Sequence, residues 1–287
     1  MPRKTRISNS REISLPHART RILAGIALAC IPLAFAIHAP EVTAEQTTWW
    51  VGADSHVGHP TEDHVGQHLA ESVADVNALG IADYAIILGD LVEDRHEYAE
   101  VFEETMNALD VEWTYVLGNH DFDEDDHEPV LEPHYEAQTV QGIRFIQLSD
   151  ELTGFEDRNL IMSAEQESWF WEELETHRDK PIFLFTHQPH WEVEIWPELQ
   201  ERLEDYNIAA WFSAHKHNWN IEEDTEYGFV QINIHSIGGV REDYLSTFLH
   251  LETAEDSVEA AVRFRDHQAQ EWIAVDGQRE VRFSVAR

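Results

Sequence analysis

Cysteine is almost absent from this chain of 287 residues, since Cys30 is the only one. A chain with one cysteine forms no internal disulfide, and removal of the amino terminus would also exclude thiolate chemistry. Lysine and arginine are scarce too, at 19 residues against 56 aspartates and glutamates. Because duplex nucleic acid needs a basic footprint, the charge argues against long polyanionic partners.

The excess of acidic residues is spread along the whole chain. Residues 45–287 hold 13 basic and 54 acidic residues, a formal charge of −41. Such a charge is typical of disordered proteins, but ten Trp and thirteen Phe within periodic segments indicate a folded core. We therefore interpret the composition as an acidic, halophile-like surface, on which salt screens self-repulsion.

The amino terminus has the composition of a targeting segment. Basic residues through Arg21 precede an apolar run at 22–36, and Val42, Thr43 and Ala44 offer the small residues that precede a cleavage site. We predict that residues 1–44 are a general secretion signal, that residues 45–287 form one domain, and that the protein is secreted or otherwise extracytoplasmic. The alternative is an uncleaved membrane anchor, because the run approaches the roughly 20 apolar residues that span a bilayer.

Apolar strands alternate with amphipathic helices through most of the chain. The predicted strands are 49–53, 84–88, 111–117, 142–148, 181–186, 208–214, 229–234, 245–251, 258–264, 272–275 and 281–285. The predicted helices are 60–80, 96–109, 163–177 and 197–206. The βαβ order of the first part implies parallel strands with right-handed crossovers. The strands after residue 229 follow one another directly, so antiparallel strands should extend the parallel ones.

Five of the apolar strands are followed by Asp, His or Asn. The segments are Asp54-Ser55-His56, Gly89-Asp90, Gly118-Asn119-His120-Asp121, His187 and His215-Lys216-His217. Chemistry in α/β proteins lies at the carboxyl ends of strands, and these side chains are ligands that divalent ions prefer. Two ions about 3.5–4 Å apart need a shared carboxylate. Asp90 is the natural bridge, because Gly89 lets the backbone approach closely.

The other candidate residues fit around such a pair of ions. We expect Asp54 and His56 to turn inward where the backbone bends, and His215 and His217 to reach different ions from an extended loop. Asn119 and His187 add a neutral oxygen and a nitrogen. His120 is left to protonate a leaving group, with the adjacent carboxylate of Asp121 holding its tautomer. This set indicates hydrolysis by a metal-bridging hydroxide.

Asp-x-His, Gly-Asp, Gly-Asn-His-Asp, a lone His and His-x-His, in this order, resemble the calcineurin-like metallophosphoesterase superfamily over about residues 48–252. The resemblance implies an α/β fold, a mixed-sheet β-sandwich flanked by helices in four layers. It implies one ion held by Asp54, His56, Asp90 and His217. It implies a second held by Asp90, Asn119, His187 and His215. His120 would be the catalytic acid and Asp121 its partner.

Two positions depart from the family pattern. Ala214 stands where the family usually has Gly before the His-x-His pair, which adds a methyl group in a tight turn. Glu93 stands three residues after the Gly-Asp aspartate, where purple acid phosphatases have Tyr, so a tyrosinate-iron site is not expected. We expect two divalent ions drawn from Mn, Fe, Zn, Co or Ni, since these ligands suit all five.

The resulting hypothesis is a secreted dinuclear-metal phosphoesterase that hydrolyses small phosphoric mono- or diesters. Its alternative is a catalytically silent binding module with the same fold. The acidic loop at 122–137 is either a solvated connection or a lid over the site. Arg95 and Arg241 either steer a phosphate or pair with neighbouring carboxylates.

Overall fold

The computed structural model describes residues 44–151, 162–189, 202–223, 228–238 and 244–286. Residues 1–43 of the predicted signal segment, the first half of the helix predicted at 197–206, and Arg241 lie outside these residues. Within the described ranges, no helix is long and apolar enough to cross a membrane.

The described chain contains thirteen strands and three α-helices. The strands are β1 (Gln46–Gly52), β2 (Tyr84–Leu88), β3 (Glu112–Val116), β4 (Glu136–Val140), β5 (Ile143–Leu148), β6 (Ile182–Thr186), β7 (Ile208–Ser213), β8 (Asn220–Glu222), β9 (Val230–Asn233), β10 (Leu245–Thr253), β11 (Ser257–Asp266), β12 (Glu271–Ile273) and β13 (Glu280–Ala286). The helices are α1 (Gln67–Leu79), α2 (Ala99–Met106) and α3 (Ala164–Thr176), and a 3-10 turn at His96–Tyr98 precedes α2.

The strands form two mixed sheets. The first has the order β12-β11-β10-β1-β2-β3, and β13 also pairs with β11. In this sheet β1, β2 and β3 are parallel, whereas β10 to β13 are antiparallel to their neighbours. The second has the order β4-β5-β6-β7-β9-β8, in which only the edge strands β4 and β8 are antiparallel. The prediction that antiparallel strands extend the parallel ones is confirmed for β10 to β13. It was wrong for β9, which is parallel to β7.

Apolar side chains fill the space between the sheets and under the helices. Phe183, Phe185 and Phe212 belong to a buried cluster that joins residues of both sheets. A second cluster packs α1 and α2 on the first sheet, and a third packs α3 on the second sheet. The parallel strands are apolar on both faces because both faces are covered, as Trp49 in the first cluster and Trp50 in the second illustrate. The protein is therefore an α/β sandwich with helices on both outer faces.

The predicted start of the first helix was wrong. Helix α1 begins at Gln67 and not near residue 60, because Gly66 has a left-handed backbone with φ 77°. The side chain of Glu62 accepts hydrogen bonds from the amides of Gly58 and Gly66, at 3.1 and 2.9 Å. These bonds hold residues 58–66 in a compact loop before the helix. The start predicted for α3 is confirmed, since Ser163 caps the helix and its Oγ accepts from the amide of Gln166 at 3.1 Å.

Two features of the antiparallel strands also differ from prediction. Strand β4 begins at Glu136, inside the segment predicted as an acidic loop, and it pairs with β5 through a turn at Gln141 and Gly142, which both have positive φ. Strands β12 and β13 lie on either side of the turn at Asp276 and Gly277 but do not pair with each other. Both strands instead pair with β11, one after the other along the same edge.

Candidate metal centre

The strand ends of both sheets meet at one side of the sandwich. The amide of Asp54 donates to the carbonyl of Gly89 at 3.0 Å, and the amide of His56 donates to the carbonyl of Asp90 at 2.9 Å, so parallel pairing continues past the ends of β1 and β2. In the second sheet the amide of Ala214 donates to the carbonyl of His187 at 2.7 Å. The backbone therefore holds the predicted ligand segments next to one another before any side chain is considered.

Four of the predicted ligands form a first cluster. Asp54, His56, Asp90 and His217 each offer a donor atom, and these atoms lie within 4.8 Å of one another. The Nε2 atom of His217 is 3.2 Å from Asp54 Oδ1, and the Nε2 atom of His56 is 3.5 Å from Asp90 Oδ2. The two imidazole Nε2 atoms are 3.3 Å apart. All four side chains thus converge on one point.

The remaining predicted ligands form a second cluster that shares Asp90. Donor atoms of Asp90, His187 and His215 lie within 4.8 Å of one another. The Nε2 atom of His187 is 3.1 Å from Asp90 Oδ2 and 3.2 Å from Asn119 Oδ1. The structure therefore brings all seven predicted ligands together, and Asp90 lies between the two groups.

The backbone is left-handed at five of these positions. The φ angles of Asp54, His56, Asp90, His215 and His217 are 50°, 41°, 49°, 69° and 50°. Non-glycine residues in this region cost about 1–3 kcal/mol each and cluster at functional sites. Asp54 and His56 turn inward as predicted, but the extended loop predicted for His215 and His217 was wrong. The left-handed turn falls at His215 and not at Ala214, so the extra methyl group of Ala214 is buried without needing that conformation.

Two glycines leave room for the donor side chains. A Cβ atom at Gly89, where φ is 71°, would lie 2.6 Å from the imidazole of His187. A Cβ atom at Gly118 would lie 2.4 Å from Asp90 Oδ1 and 2.7 Å from His187 Cδ2. A Cβ atom does not approach other non-bonded atoms this closely. The chain therefore needs glycine after β2 and after β3 for Asp90 and His187 to approach each other. The close approach predicted for Gly89 is confirmed.

Hydrogen bonds on the far side of two imidazoles set their tautomers. The Nδ1 atom of His187 donates to the carbonyl of Leu88 at 2.8 Å, which leaves Nε2 as the lone-pair atom inside the cluster. The Nδ1 atom of His56 is 2.7 Å from Glu93 Oε2, which has the same effect. Glu93 thus lies behind a predicted ligand, at the position where the sequence already departs from the purple acid phosphatases.

His120 is held by a different carboxylate from the one predicted. Its Nδ1 atom is 3.0 Å from Asp94 Oδ2. Asp121 instead uses Oδ1 to accept from the amides of Leu91 and Val92, at 2.7 and 3.0 Å, and Oδ2 to accept from the amide of Gly118 at 2.7 Å. The prediction that Asp121 orients His120 was therefore wrong. Adjacency in sequence misled it, because the carboxylate of Asp121 is turned toward backbone amides of its own loop and of the loop that carries Asp90.

Carboxylates dominate the electrostatics of the site. Burial lowers the pKa of His120, but the hydrogen bond to Asp94 and the charge of Asp90 outweigh burial and raise it to about 9. Burial likewise opposes protonation of His187, yet the charge of Asp90 raises the pKa of His187 well above its usual value. These two imidazoles therefore lie in a negative field, which favours a bound cation. His215 differs, because burial and the charge of His187 lower its pKa to about 4.

The donor set fits divalent metal ions. Asp54 Oδ1 is buried, has no hydrogen-bond partner among the described residues, and is 3.2 Å from His217 Nε2. An unpaired buried carboxylate oxygen costs free energy unless a cation binds it. Carboxylate, imidazole and amide donors together suit borderline divalent ions.

Sequence reasoning missed three residues of this site. Glu93 and Asp94 follow the Gly-Asp segment but do not end a strand, so the strand-end pattern did not select them. Asp150 follows β5 and is fully buried, and burial raises its pKa to about 7. Its Oδ2 accepts from Gln188 Nε2 at 2.9 Å, next to His187. The end of β5 at Ser149 and Asp150 was the available signal.

The acidic loop is tied to the segment that carries Asp94. The amide of Glu124 donates to the carbonyl of Asp94, and the amide of His96 donates to Asp123 Oδ2, both at 3.0 Å. Arg95 pairs with Glu124 and with Asp125, which supports ion pairing over phosphate steering for this arginine.

A family model described as calcineurin-like phosphoesterase matches residues 50–219, more than half of the 287 residues. The chain belongs to this family. The matched range contains every predicted ligand together with His120, and the strands β8 to β13 lie beyond it. The calcineurin-like phosphoesterase fold expected from the motifs is thus confirmed.

A solved structure supports the fold. A dimetal phosphatase from Danio rerio is similar over 84% of this chain and 98% of its own, at 14% identity and a TM-score of 0.56. An identity this low shows a shared fold alone. Vacuolar Protein Sorting 29 from Cryptosporidium parvum matches over 85% of this chain and 100% of its own, at 12% identity and a TM-score of 0.42. No match is found among curated proteins.

Proposed function

We propose that this calcineurin-like phosphoesterase is an active dinuclear-metal hydrolase of phosphoric esters. One ion would be held by Asp54, His56, Asp90 and His217. The other would be held by Asp90, Asn119, His187 and His215. The observation that carries the proposal is that seven donors from five separate strand ends converge on two clusters that share Asp90.

Divalent ions held there would act as Lewis acids toward a phosphoryl group and activate water. The chain itself supplies the proton for the leaving group. His120 lies beside the shared carboxylate, because its amide donates to Asp90 Oδ1 at 2.8 Å, while Asp94 fixes Nδ1 of the ring. An imidazole oriented in this way can donate a proton from Nε2 to a departing alkoxide.

The substrate class follows from charge. A chain with a formal charge of −37 repels long polyanions, so we propose small phosphoric mono- or diesters and no nucleic acid. The amino-terminal composition supports an extracytoplasmic protein, with membrane association only if residues 1–44 remain attached.

The test is hydrolysis of bis(4-nitrophenyl) phosphate and 4-nitrophenyl phosphate, after EDTA treatment and after Mn²⁺ or Zn²⁺ is added back. Metal-restored activity is expected, and the preferred substrate distinguishes a diesterase from a monoesterase. His120→Ala should lower kcat by about 10²–10⁴-fold, the usual range for a general acid, with metal content unchanged. Unchanged kcat in this variant would remove His120 from the mechanism.

The silent binding module gives a different result in the same assay. It would bind metal with the same donors but would hydrolyse neither substrate, and His120→Ala would change nothing in the assay. Metal content measured beside activity therefore distinguishes the two functions, since only the enzyme couples metal binding to turnover.

A further inference from the structure

The loop at 214–219, which carries two of the predicted metal ligands, begins and ends beside one residue of β9. Asn233 pairs with Ser213, the last residue of β7, on one side. On the other side it pairs with Asn220, the first residue of β8. Both ends of the loop therefore lie next to Asn233, a residue beyond the range 50–219 that the family model matches.

The side chain of Asn233 ties this loop to β9. Its Nδ2 donates to the carbonyl of Asn218 at 2.7 Å and to the carbonyl of Ile234 at 3.3 Å. Its Oδ1 accepts from Ser213 Oγ at 3.0 Å. Carbonyl oxygens only accept, so the two carbonyls fix which end of the amide carries the hydrogens. Asn233 is fully buried, and hydrogen bonds are stronger in such surroundings than in water.

Asn218 directly follows His217, a predicted ligand with a left-handed backbone. The φ angle of His217 is 50°, and its Nε2 lies 3.2 Å from Asp54 Oδ1. A non-glycine residue keeps such a conformation only where the surrounding structure determines it. The bond from Asn233 to the carbonyl of Asn218 meets this need, because it fixes the backbone next to His217.

His215, near the start of the same loop, is held by other bonds. The amide of Ala214 donates to the carbonyl of His187 at 2.7 Å, which continues the parallel pairing of β6 and β7. The amide of His215 donates to Asp54 Oδ2 at 3.2 Å. Loss of the amide group at residue 233 should therefore displace His217 more than His215.

We propose that Asn233 is a positioning residue for the ion that His217 would hold. It acts through the backbone carbonyl of Asn218 and is not itself a ligand. The inference rests on the proposed dinuclear function and adds a residue on which the affinity of one of the two ions depends. Groups that orient a metal-binding histidine typically change metal affinity by about 10–100-fold.

The experiment is titration of Co²⁺ into the EDTA-treated protein, followed by calorimetry and by the visible absorption of the bound ion. Wild type should bind two equivalents. Asn233→Ala should weaken one of them about 10–100-fold and leave the other unchanged, and urea unfolding checks that the variant is folded. Wild-type affinity for both ions in the folded variant, or equal weakening of both, would overturn the proposal.

Wild type itself separates this inference from the proposed function. Binding of fewer than two equivalents by wild type would refute the dinuclear centre, and the role of Asn233 with it. Two equivalents in wild type and in Asn233→Ala, with the same affinities, would refute the role of Asn233 alone. If Asn233→Ala does not fold, Asn233→Ser takes its place, since the shorter side chain does not reach the carbonyl of Asn218. The same loss is expected, and unchanged affinity would overturn the proposal.

A matched variant removes a different bond of the same side chain. Ser213→Ala deletes the hydroxyl that donates to Asn233 Oδ1 but leaves Nδ2 on the carbonyl of Asn218. Both Co²⁺ affinities should therefore stay as in wild type. A loss equal to that of Asn233→Ala would assign the effect to packing between β7 and β9 and overturn the proposal.

A double-mutant cycle tests whether Asn233 acts through His217. His217→Ala removes the ligand and should weaken the same ion as Asn233→Ala. Adding Asn233→Ala to His217→Ala should cause no further loss of Co²⁺ affinity, because the side chain that Asn233 positions is already absent. Additive losses would show that Asn233 acts on another part of the centre and would contradict the proposal.

Discussion

Asp94 and Asp121 lie near His120, and their hydrogen bonds give them different roles. Asp94 accepts from the imidazole, whereas Asp121 accepts from three backbone amides of the loops that carry Asp90 and Asn119. One carboxylate therefore orients a side chain and the other holds two loops together. The left-handed conformations at Asp54, Asp90 and His215 are stable because such bonds fix the surrounding backbone.

Exchanging each carboxylate for an amide separates these roles. Asp94→Asn should lower kcat by about 10–100-fold, since it removes the charge that orients His120, and should leave the melting temperature and metal content unchanged. Asp121→Asn should cost about 1–3 kcal/mol of stability, because an amide nitrogen cannot accept from the amide of Gly118. Steady-state kinetics and urea unfolding check both variants. A kcat loss in Asp121→Asn without destabilisation would restore Asp121 as the partner of His120.

At the scale of elements, helix α1 is joined to the first sheet by a buried polar network. Asp75 on α1 accepts from Arg265 Nε and from His267 Nδ1, both at 2.8 Å. His267 Nε2 is 2.6 Å from Ser246 Oγ, which accepts from Trp50 Nε1. These are the contacts of a Ser-His-Asp triad, but all three residues are at most 3% exposed, so no substrate reaches them. The network is structural.

Asp75→Asn should destabilise the protein by about 3–5 kcal/mol at pH 7, because it leaves Arg265 buried without its partner. Burial raises the pKa of Asp75, but the bonds from Arg265 and His267 outweigh it and lower the pKa to about 2. A carboxylate with a lowered pKa stabilises the folded protein above pH 3.8, the unfolded value, and this stabilisation is lost as the pH falls toward 2. The free energy of unfolding of wild type should therefore fall by about 1 kcal/mol between pH 7 and pH 3 through Asp75. The variant lacks this carboxylate and should not show that part of the loss. Urea unfolding at both pH values checks this; equal losses in the two proteins would contradict it.

Individual strands and helices show what sequence patterns can predict. Apolar runs located β1, β2, β6 and β7, because both faces of these strands are largely buried. Strand β3 was located by its apolar residues although most of it is only partly buried. The carboxyl ends of these five strands then gave the ligand set. Strand β4 was missed because an edge strand facing a polar groove has no apolar run. The start of α1 was missed because hydrogen bonds to the side chain of Glu62 fix a loop before the helix, and residue type does not reveal such bonds.

The sequence predicted the side chains that could bind metal. It did not predict the residues that orient those side chains. Residue type and strand ends select Asp90 or His187, since the chemistry of metal binding requires those types. Glu93 and Asp94 act through the geometry of a left-handed turn, which residue type alone does not reveal. Choosing Asp121 over Asp94 required knowing which way a carboxylate points, and that is a tertiary property.

In the whole molecule, the excess of acidic residues predicts a stability that depends on salt. The melting temperature should rise between 0.1 and 1 M NaCl, because screening relieves repulsion among the excess carboxylates. Over this range the Debye length falls from about 10 to 3 Å. Thermal unfolding at increasing NaCl measures this, with sucrose of equal osmolality as the uncharged control. A melting temperature indifferent to NaCl, or equal effects of NaCl and sucrose, would show that charge repulsion does not limit stability.

If two ions that share Asp90 make this protein a phosphoesterase, titration of metal into the EDTA-treated protein should restore its activity stepwise. Hydrolysis of bis(4-nitrophenyl) phosphate or 4-nitrophenyl phosphate is followed as Mn²⁺ or Zn²⁺ is added in known molar ratio. Activity should rise until two equivalents are bound and then stay constant, and Asp90→Asn should abolish both binding and turnover. Full activity in the metal-free protein, or no activity on either ester with two equivalents bound, would contradict the account.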